Sequence, residues 1–287
     1  MKRHNGFVIL IGLVVMGVML FCTKTDVYAH TQYTDNNAND TINDAQAIVR
    51  NTQTPAQYDS GNSTSYRFVT GYIQNGDEDW YIVYLSASDV DCLLDVRGGV
   101  SNVTYEIYDA TGTLLETYLY NNSGTVQVFD LVGRDTAGVN SIITSDDYYY
   151  IHVTSSAYSS QYYYFTIGMP QYSRAVYTHT FSNLSMSNIS PATASISPFV
   201  DDSTIPIDSY AYEISISNVS SSVSNKRYFT NTALGNFVQT NTSNTYHLAA
   251  TQNNTMEQVW GIRLEPTVNG SYTISPNLII RYIKPER

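Results

Sequence analysis

The stretch that decides the fold reads Gly-Asp-Glu-Asp-Trp-Tyr-Ile-Val-Tyr-Leu over residues 76–85. The Asn-Gly pair at 75–76 is a turn signal, and from Trp80 onward almost every residue favours a β-strand. Side chains alternate between the two sides of a strand, so the even positions of 80–84 share one side and the odd positions of 81–85 share the other. Both sets are apolar, which predicts a strand inside a β-sandwich with no wet side.

The acidic turn before this strand has two interpretations. Asp77, Glu78 and Asp79 supply the oxygen ligands that a hard cation such as Ca²⁺ prefers. The same carboxylates are also typical of a solvated loop with no ligand. The functional prediction for the chain depends on which interpretation holds.

The first 29 residues have the pattern of a secretory signal peptide. Positive charges at 2–4 precede an apolar run at 7–21 and a small-x-small cleavage pattern at 27–29. The apolar run is shorter than the roughly 20 residues of a membrane-spanning helix, although a retained anchor is the alternative. We expect residues 1–29 to be removed, and the mature protein to be secreted without membrane contact.

Charge and cysteine content narrow the class of protein further. The formal net charge of -11 argues against nucleic acid or an anionic membrane as a partner, and it is compatible with cation binding. Only Cys92 remains after the predicted cleavage, so no intrachain disulfide is possible. The apolar neighbours of Cys92 predict a buried, inert thiol.

Short runs of β-branched and aromatic residues alternate with Gly, Asn, Asp and Ser clusters from residue 66 onward. This spacing predicts an all-β chain with two β-sandwich domains, the first a sandwich or a jelly roll. The first domain, residues 30–170, carries a polar N-terminal arm. Residues 171–175 are the predicted boundary, and residues 175–287 form a second β-sandwich of unknown family.

Three local predictions concern individual elements. Residues 44–49 are predicted to form a short helical turn. In the second domain, residues 193–199 and 271–283 are each predicted to form a single strand.

Several segments of the first domain occur in the order found in a known family: Asn39-Asp40-Thr41-Ile42, Val69–Ile73, Gly76–Tyr81, Tyr105–Gly112, Asp147–Val153 and Tyr164–Ile167. Over about residues 37–169 the chain resembles the bacterial pre-peptidase C-terminal domain family. That family includes modules similar to the collagen-binding domains of clostridial collagenases. The resemblance implies a small jelly-roll sandwich without catalytic residues. Such modules usually follow a secreted peptidase, whereas here the predicted signal peptide leads into the module, so we expect it to be free-standing.

The resemblance also implies a calcium site. In the collagen-binding relatives, an acidic arm folds back and shares calcium with the loop before the Asp-Trp-Tyr strand. The matching positions supply the arm and loop ligands, in that order: Asp35, Asn37, Asn39, Asp40, Asp77 and Asp79. The alternative is a solvated acidic turn beside a flexible arm.

The sequence contains 26 tyrosines, and two triplets mark candidate binding surfaces. In the first triplet, the apolar alternation of the odd positions of 149–153 predicts a core-facing side. The opposite side would then point outward as a ligand-binding surface, made of Tyr148, Tyr150 and His152. Exposed tyrosines provide large contact areas at low entropic cost. Cross-strand pairing that only stabilises the sheet is the alternative.

No catalytic motif is present in the sequence. The histidines are isolated, and neither a His-Glu-x-x-His pair nor a Gly-x-Ser-x-Gly elbow occurs. We therefore expect a secreted, non-catalytic binding protein with a calcium-stabilised module that binds an extracellular protein or polysaccharide. The alternatives are an accessory partner of a secreted peptidase and a hydrolase with its site in the second domain.

Overall fold

The computed structural model describes residues 30–89, 92–98, 102–121, 125–132, 141–188, 190–240, 244–267 and 269–286. The predicted signal peptide at residues 1–29 lies outside the described residues. Within these ranges β-strands far outnumber the helical elements, which confirms the predicted all-β class. The helical elements are short: α1 (Pro55–Asp59), α2 (Pro198–Asp201) and two 3₁₀ turns at Ile42–Asp44 and Gln252–Asn254.

The described residues of the first half form ten strands. They are β1 (Thr31–Thr34), β2 (Gln46–Ala47), β3 (Arg67–Ile73), β4 (Glu78–Leu85), β5 (Leu93–Gly98), β6 (Val103–Tyr108), β7 (Leu114–Tyr120), β8 (Gln127–Asp130), β9 (Asp147–Ser155) and β10 (Gln161–Gly168). The first sheet has the order β1-β3-β10-β5-β8, and the second sheet has the order β2-β4-β9-β6-β7.

The pairing within these sheets is nested. Strand β3 pairs with β10, β4 with β9, β5 with β8, and β6 with β7, all antiparallel. Each outer pair therefore encloses the next pair along the chain, and successive pairs fall in alternate sheets. This arrangement of eight strands in two sheets is that of a jelly roll. It confirms the fold predicted for this half.

The N-terminal arm adds one strand to each sheet. Strand β1 runs parallel to β3 in the first sheet, and β2 runs parallel to β4 in the second. The sequence predicts no strand here, because Thr31–Thr34 has no apolar period, and it predicts a helical turn at 44–49. Backbone hydrogen bonds to the edges of the two sheets form the arm strands instead, and they cover edges that would otherwise be unpaired.

Large aromatic residues fill the space between the two sheets. Tyr81, Tyr105, Tyr120, Tyr163 and Phe165 are all fully buried. Only the odd positions of β4 face this core.

The prediction that β4 has no wet side is therefore wrong. On the opposite side of the strand, Tyr84 is 51% exposed and Ile82 is half-buried. The second sheet has a solvent-facing outer surface, and the even-numbered apolar residues of β4 lie on that surface.

In the second half, the part of the chain that the structure describes forms a further ten strands. They are β11 (Tyr172–Thr180), β12 (Leu184–Ser187), β13 (Ala192–Ile196), β14 (Tyr210–Ser217), β15 (Lys226–Asn231), β16 (Val238–Gln239), β17 (Thr245–His247), β18 (Trp260–Glu265), β19 (Ser271–Ile274) and β20 (Asn277–Pro285). Two four-stranded sheets, β11-β20-β14-β17 and β13-β18-β15-β16, share a core that includes Trp260, Phe229 and Ile280. Strands β12 and β19 form a separate pair.

Two strand predictions for this half are wrong in extent. Residues 271–283 form two strands in different sheets, separated where the Pro276 carbonyl accepts a hydrogen bond from the Phe181 amide at 2.9 Å. Strand β13 ends at Ile196, because Pro198 begins helix α2. Strand β11 begins at Tyr172, inside the stretch 171–175.

Gly71 makes room for a buried tyrosine in the first sheet. Gly71 and Tyr163 are paired across β3 and β10. A Cβ atom at position 71 would lie 2.3 Å from the Tyr163 hydroxyl oxygen. No side chain fits there while Tyr163 keeps its place, so the glycine is required by packing.

We expect Gly71→Ala to lower the free energy of unfolding by about 2–4 kcal/mol, because Tyr163 must leave its site. The matched control is Gly76→Ala, where nothing lies within 4 Å and only the positive φ of +87° is strained. That strain costs about 1 kcal/mol. Urea unfolding of both variants measures the difference, and equal losses would contradict the packing role of Gly71.

Candidate functional site

The N-terminal arm docks beside the start of β4 through backbone and amide contacts. The Trp80 amide donates to the Asn39 carbonyl at 2.8 Å, and Asn39 Nδ2 donates to the Trp80 carbonyl at 3.0 Å. At the other sheet, the Asp35 amide donates to the Thr70 carbonyl at 2.9 Å. The arm therefore bridges both sheets at one end of the sandwich, next to the acidic turn.

Asp79 is a buried carboxylate at this docking point. Its side chain is 2% exposed and faces the core, where the Tyr163 hydroxyl donates to Asp79 Oδ2 at 2.8 Å. The Tyr163 hydroxyl also contacts the buried hydroxyl of Tyr81. Burial raises the pKa of Asp79 to about 7, while the Tyr163 hydrogen bond opposes the shift and the charge of Asp35 adds to it.

Other carboxylates of the arm and the turn are electrostatically coupled to Asp79. The charges of Asp35 and Asp77 further raise the Asp79 pKa. The pKa of Asp77 itself is raised by partial burial and then by the charges of Asp40 and Asp35. Four of the predicted ligands are therefore electrostatic neighbours, and a proton or a cation would relieve their mutual repulsion.

Asn39 provides the test of whether calcium fits this cluster. Its side chain is fully buried, and Oδ1 has no hydrogen-bond partner among the described residues. A buried amide oxygen without a partner is rare, and it is a ligand type that calcium accepts. The donor set therefore fits a hard cation in its chemistry.

The side chains of the cluster are not yet arranged around a common ion position. Among the described residues, no three His, Cys, Asp or Glu side chains are already placed to hold a metal ion. Asn37 is exposed and has a positive φ of 51°, and its amide donates to Asp35 Oδ1 at 2.9 Å. Asp40 is also exposed. The carboxylates would therefore have to move inward around an ion.

The outer surface of the second sheet carries a group of aromatic side chains that we call the tyrosine face: Tyr84, Tyr108, Tyr148 and Tyr150. Tyr84 and Tyr148 are paired across β4 and β9, with ring centroids 5.4 Å apart in an edge-on arrangement. They are 51% and 53% exposed. Tyr150 is half-buried and is paired with Tyr108 of β6. The predicted outward direction of Tyr148 and Tyr150 is confirmed.

His152 lies on the same side of the sheet, but the prediction that it is exposed is wrong. The ring is 8% exposed because it stacks on Trp80 with centroids 4.0 Å apart. Its Nδ1 lies 2.9 Å from Glu106 Oε2, and its Nε2 lies 3.2 Å from Glu78 Oε2. His152 is thus covered by its cross-strand neighbours, and its place is structural rather than open to a ligand.

Sequence reasoning missed this cluster of Trp80, His152, Glu78 and Glu106. Alternation in β9 gives the side of the strand on which His152 lies, and this was correct. The burial of His152 depends on strand register, because the register places Trp80 and Glu106 opposite His152 on the two neighbouring strands. The only signal for this cluster in the sequence is that Glu78 lies two positions before Trp80.

Cys92 is 1% exposed, and burial raises the pKa of its thiol to about 12, as predicted for an inert cysteine.

Among the residues that the structure describes, no helix is long and apolar enough to cross a membrane.

Comparison with known proteins shows the fold but not the family. No family model and no curated protein matches the chain. A solved structure of a protein from Eubacterium rectale that is expected to be secreted is similar over 90% of this chain and 86% of that chain, with 14% identity and a TM-score of 0.51.

Two further structures are much less similar. The major capsid protein P2 of bacteriophage PM2 matches at 12% identity and a TM-score of 0.26, over 76% of this chain and 98% of that chain. The PBSX exported protein XepA matches at 10% identity and a TM-score of 0.23, over 74% of this chain and 84% of that chain.

The raised pKa of Asp79 predicts a pH dependence of stability in chelator. Between the unfolded value of 3.8 and the folded value of about 7, the folded state binds more protons than the unfolded state. The contribution of Asp79 to stability is therefore fully present at low pH and is lost as the pH rises to about 7, by on the order of 2–4 kcal/mol. We expect Asp79→Asn to remove this loss and to be more stable than wild type at pH 7.

Urea unfolding at pH 4, 5.5 and 7 measures the dependence. Asp95 is buried, and its pKa is also raised to about 7, so Asp79→Asn flattens only part of the profile. Asp130→Asn, at an exposed position of β8, is the matched control and should follow the wild type. A profile for Asp79→Asn as steep as that of wild type would contradict the assignment.

Proposed function

We propose that this chain is an extracellular, non-catalytic binding protein whose first sandwich is stabilised by calcium. The observation that carries the proposal is the buried Asp79 carboxylate, which is coupled to Asp35 and Asp77 where the arm docks. A buried carboxylate that faces other carboxylates is costly unless a cation or a proton neutralises it. The resemblance to the pre-peptidase C-terminal domain family supports the same assignment.

Calcium would be held by oxygen atoms from the arm and from the turn before β4. Asp35 and Asn39 are the arm ligands, Asp77 and Asp79 are the turn ligands, and Asp40 lies near enough to contribute charge. Bound calcium would supply the positive charge that these oxygens lack. It would bind the folded state alone and so raise stability by linkage, in a chain that has no disulfide among its described residues.

The tyrosine face is the proposed binding surface for a protein or polysaccharide. Tyr84 and Tyr148 are each about half exposed. Their rings and those of Tyr150 and Tyr108 form adjacent cross-strand rows on one surface. Rigid aromatic side chains with a polar tip are typical of surfaces that bind other macromolecules.

Extracellular location is the remaining part of the proposal. It is supported by the predicted signal peptide at residues 1–29 and by the negative net charge of -11. It is also compatible with the secretion expected for the Eubacterium rectale protein of similar fold.

We expect calcium to raise the melting temperature of the protein by about 5–10 °C when its concentration is roughly a hundredfold above Kd. The double variant Asp77→Asn and Asp79→Asn should lose this shift, because two of the ligand charges are removed. Asp130→Asn should keep the shift. Calorimetry in calcium and in chelator is the measurement, and superimposable wild-type melts would refute the metal assignment.

The binding surface is tested with Tyr84→Ala combined with Tyr148→Ala. We expect this variant to lose about tenfold in retention on insoluble collagen or on one of chitin, cellulose and peptidoglycan, because two exposed rings are removed. Its melting temperature should stay within a few degrees of wild type. Tyr158→Ala, at a tyrosine that is 90% exposed and outside the tyrosine face, is the control. Unchanged retention of the double variant, or no retention of wild type on any probe, would contradict the proposal.

A further inference from the structure

A cavity of about 370 Å³ lies where the first sandwich meets the second half of the chain. Tyr58 and Tyr66 line it from the first sandwich, and Gln171 and Tyr172 line it from the start of the second half. The rings of Tyr58 and Tyr172 have centroids 6.1 Å apart and are tilted by 50°. The volume falls in the range of small-molecule sites, and aromatic rings supply much of the lining.

The lining side chains include no Asp, Glu, Lys or Arg. His30 also lines the cavity, and after the predicted cleavage its α-ammonium group is the one charge that the lining would carry. A cationic ligand would therefore find no carboxylate here. The lining side chains favour an uncharged ligand.

One wall of the cavity is fixed by hydrogen bonds across the junction. The Gln171 amide donates to Asp95 Oδ2 at 3.1 Å, and the Gln171 carbonyl accepts from the Glu286 amide at 2.8 Å. Arg97 Nη2 donates to Gln171 Oε1 at 2.7 Å and to Glu286 Oε2 at 2.8 Å. These contacts hold Gln171 in place before any ligand binds, and such preorganisation lowers the cost of binding.

Two polar groups of the lining residues have no partner within the described part of the chain. Gln171 Nε2 is one, and the oxygen of the same amide accepts from Arg97. The hydroxyl of Ser63 is the other. Buried polar groups nearly always have a hydrogen-bond partner, and a serine hydroxyl turns by rotation about one side-chain bond. A ligand with hydroxyl groups would satisfy both.

We propose that this cavity binds one neutral saccharide unit. The apolar face of a sugar ring would pack on Tyr58 and Tyr172, and sugar hydroxyls would reach Ser63 and Gln171. This combination of aromatic faces with uncharged hydrogen-bonding groups suits a ring that has one face of C–H bonds and a rim of hydroxyls. The site goes beyond the function proposed above, because the tyrosine face belongs to the second sheet whereas Tyr66 leads into β3 of the first.

Saturation-transfer NMR with glucose, galactose, mannose and N-acetylglucosamine tests the proposal on the purified protein. We expect at least one neutral sugar to bind with a Kd of about 1 mM, and the cationic glucosamine to bind more weakly. The peptide-like probe N-acetylprolinamide is included as the competing ligand class. It has the apolar ring but lacks the rim of hydroxyls.

Two matched pairs of variants locate the binding. Tyr58→Leu removes the aromatic face and should weaken sugar binding about fivefold or more, whereas Tyr58→Phe should bind as wild type. Ser63→Ala should weaken it about threefold or more without loss of stability, because its hydroxyl has no partner to lose. Ser60→Ala, in the same loop but outside the lining, is its control.

Three outcomes would overturn the proposal. The first is that none of the four neutral sugars gives saturation transfer. The second is that Tyr58→Leu and Ser63→Ala bind sugar like wild type, which would place the sugar elsewhere. The third is that N-acetylprolinamide binds in a Tyr58-dependent way while the sugars do not, which would assign the cavity to a peptide. Because calcium is held constant throughout, none of these results bears on the metal assignment.

Discussion

The buried hydrogen bond from Tyr163 to Asp79 is the interaction on which the first sandwich depends. Tyr163 belongs to the first sheet and Asp79 to the second, so the bond joins the two sheets inside the core. It requires glycine at position 71, and it places a carboxylate where the arm docks through Asn39. Sheet packing, arm docking and the electrostatics of the candidate metal site therefore all depend on this hydrogen bond.

The sequence predicted those parts of the fold that depend on local alternation. Runs of β-forming residues between turn signals predicted a sandwich of short strands in this half, and the family resemblance implied that the arm docks beside the acidic turn. Strand β1 was missed because its residues carry no apolar period, and β2 was missed because residues 44–49 were predicted as a helical turn. Only hydrogen bonds to the sheet edges make these two segments strands. The burial of His152 was missed because it depends on its cross-strand neighbours, which a single sequence does not reveal.

The two candidate sites differ in how far sequence could anticipate them. The carboxylates of the arm and the turn can be recognised in the sequence, because their residue types and their order along the chain match those of the resembling family. The cavity is assembled from Tyr58, Ser63, Gln171 and Tyr172, which share no motif and meet only because the halves of the chain are in contact. Its fixed wall depends on Arg97 reaching Gln171 and Glu286 from strand β5. Contacts between distant segments of this kind are invisible to pattern reasoning.

The nested pairing of the jelly roll has a consequence for the kinetics of folding. Strand β3 finds its antiparallel partner only in β10, the last strand of the sandwich, and β4 finds its own only in β9. The chain loses conformational entropy when these long loops close, before the contacts between the strands stabilise it. A high contact order of this kind slows folding. The sandwich cannot close until residue 168 is available. If the chain is exported through a membrane, as proposed above, it remains unfolded and exposed to proteases until nearly all of this half has emerged.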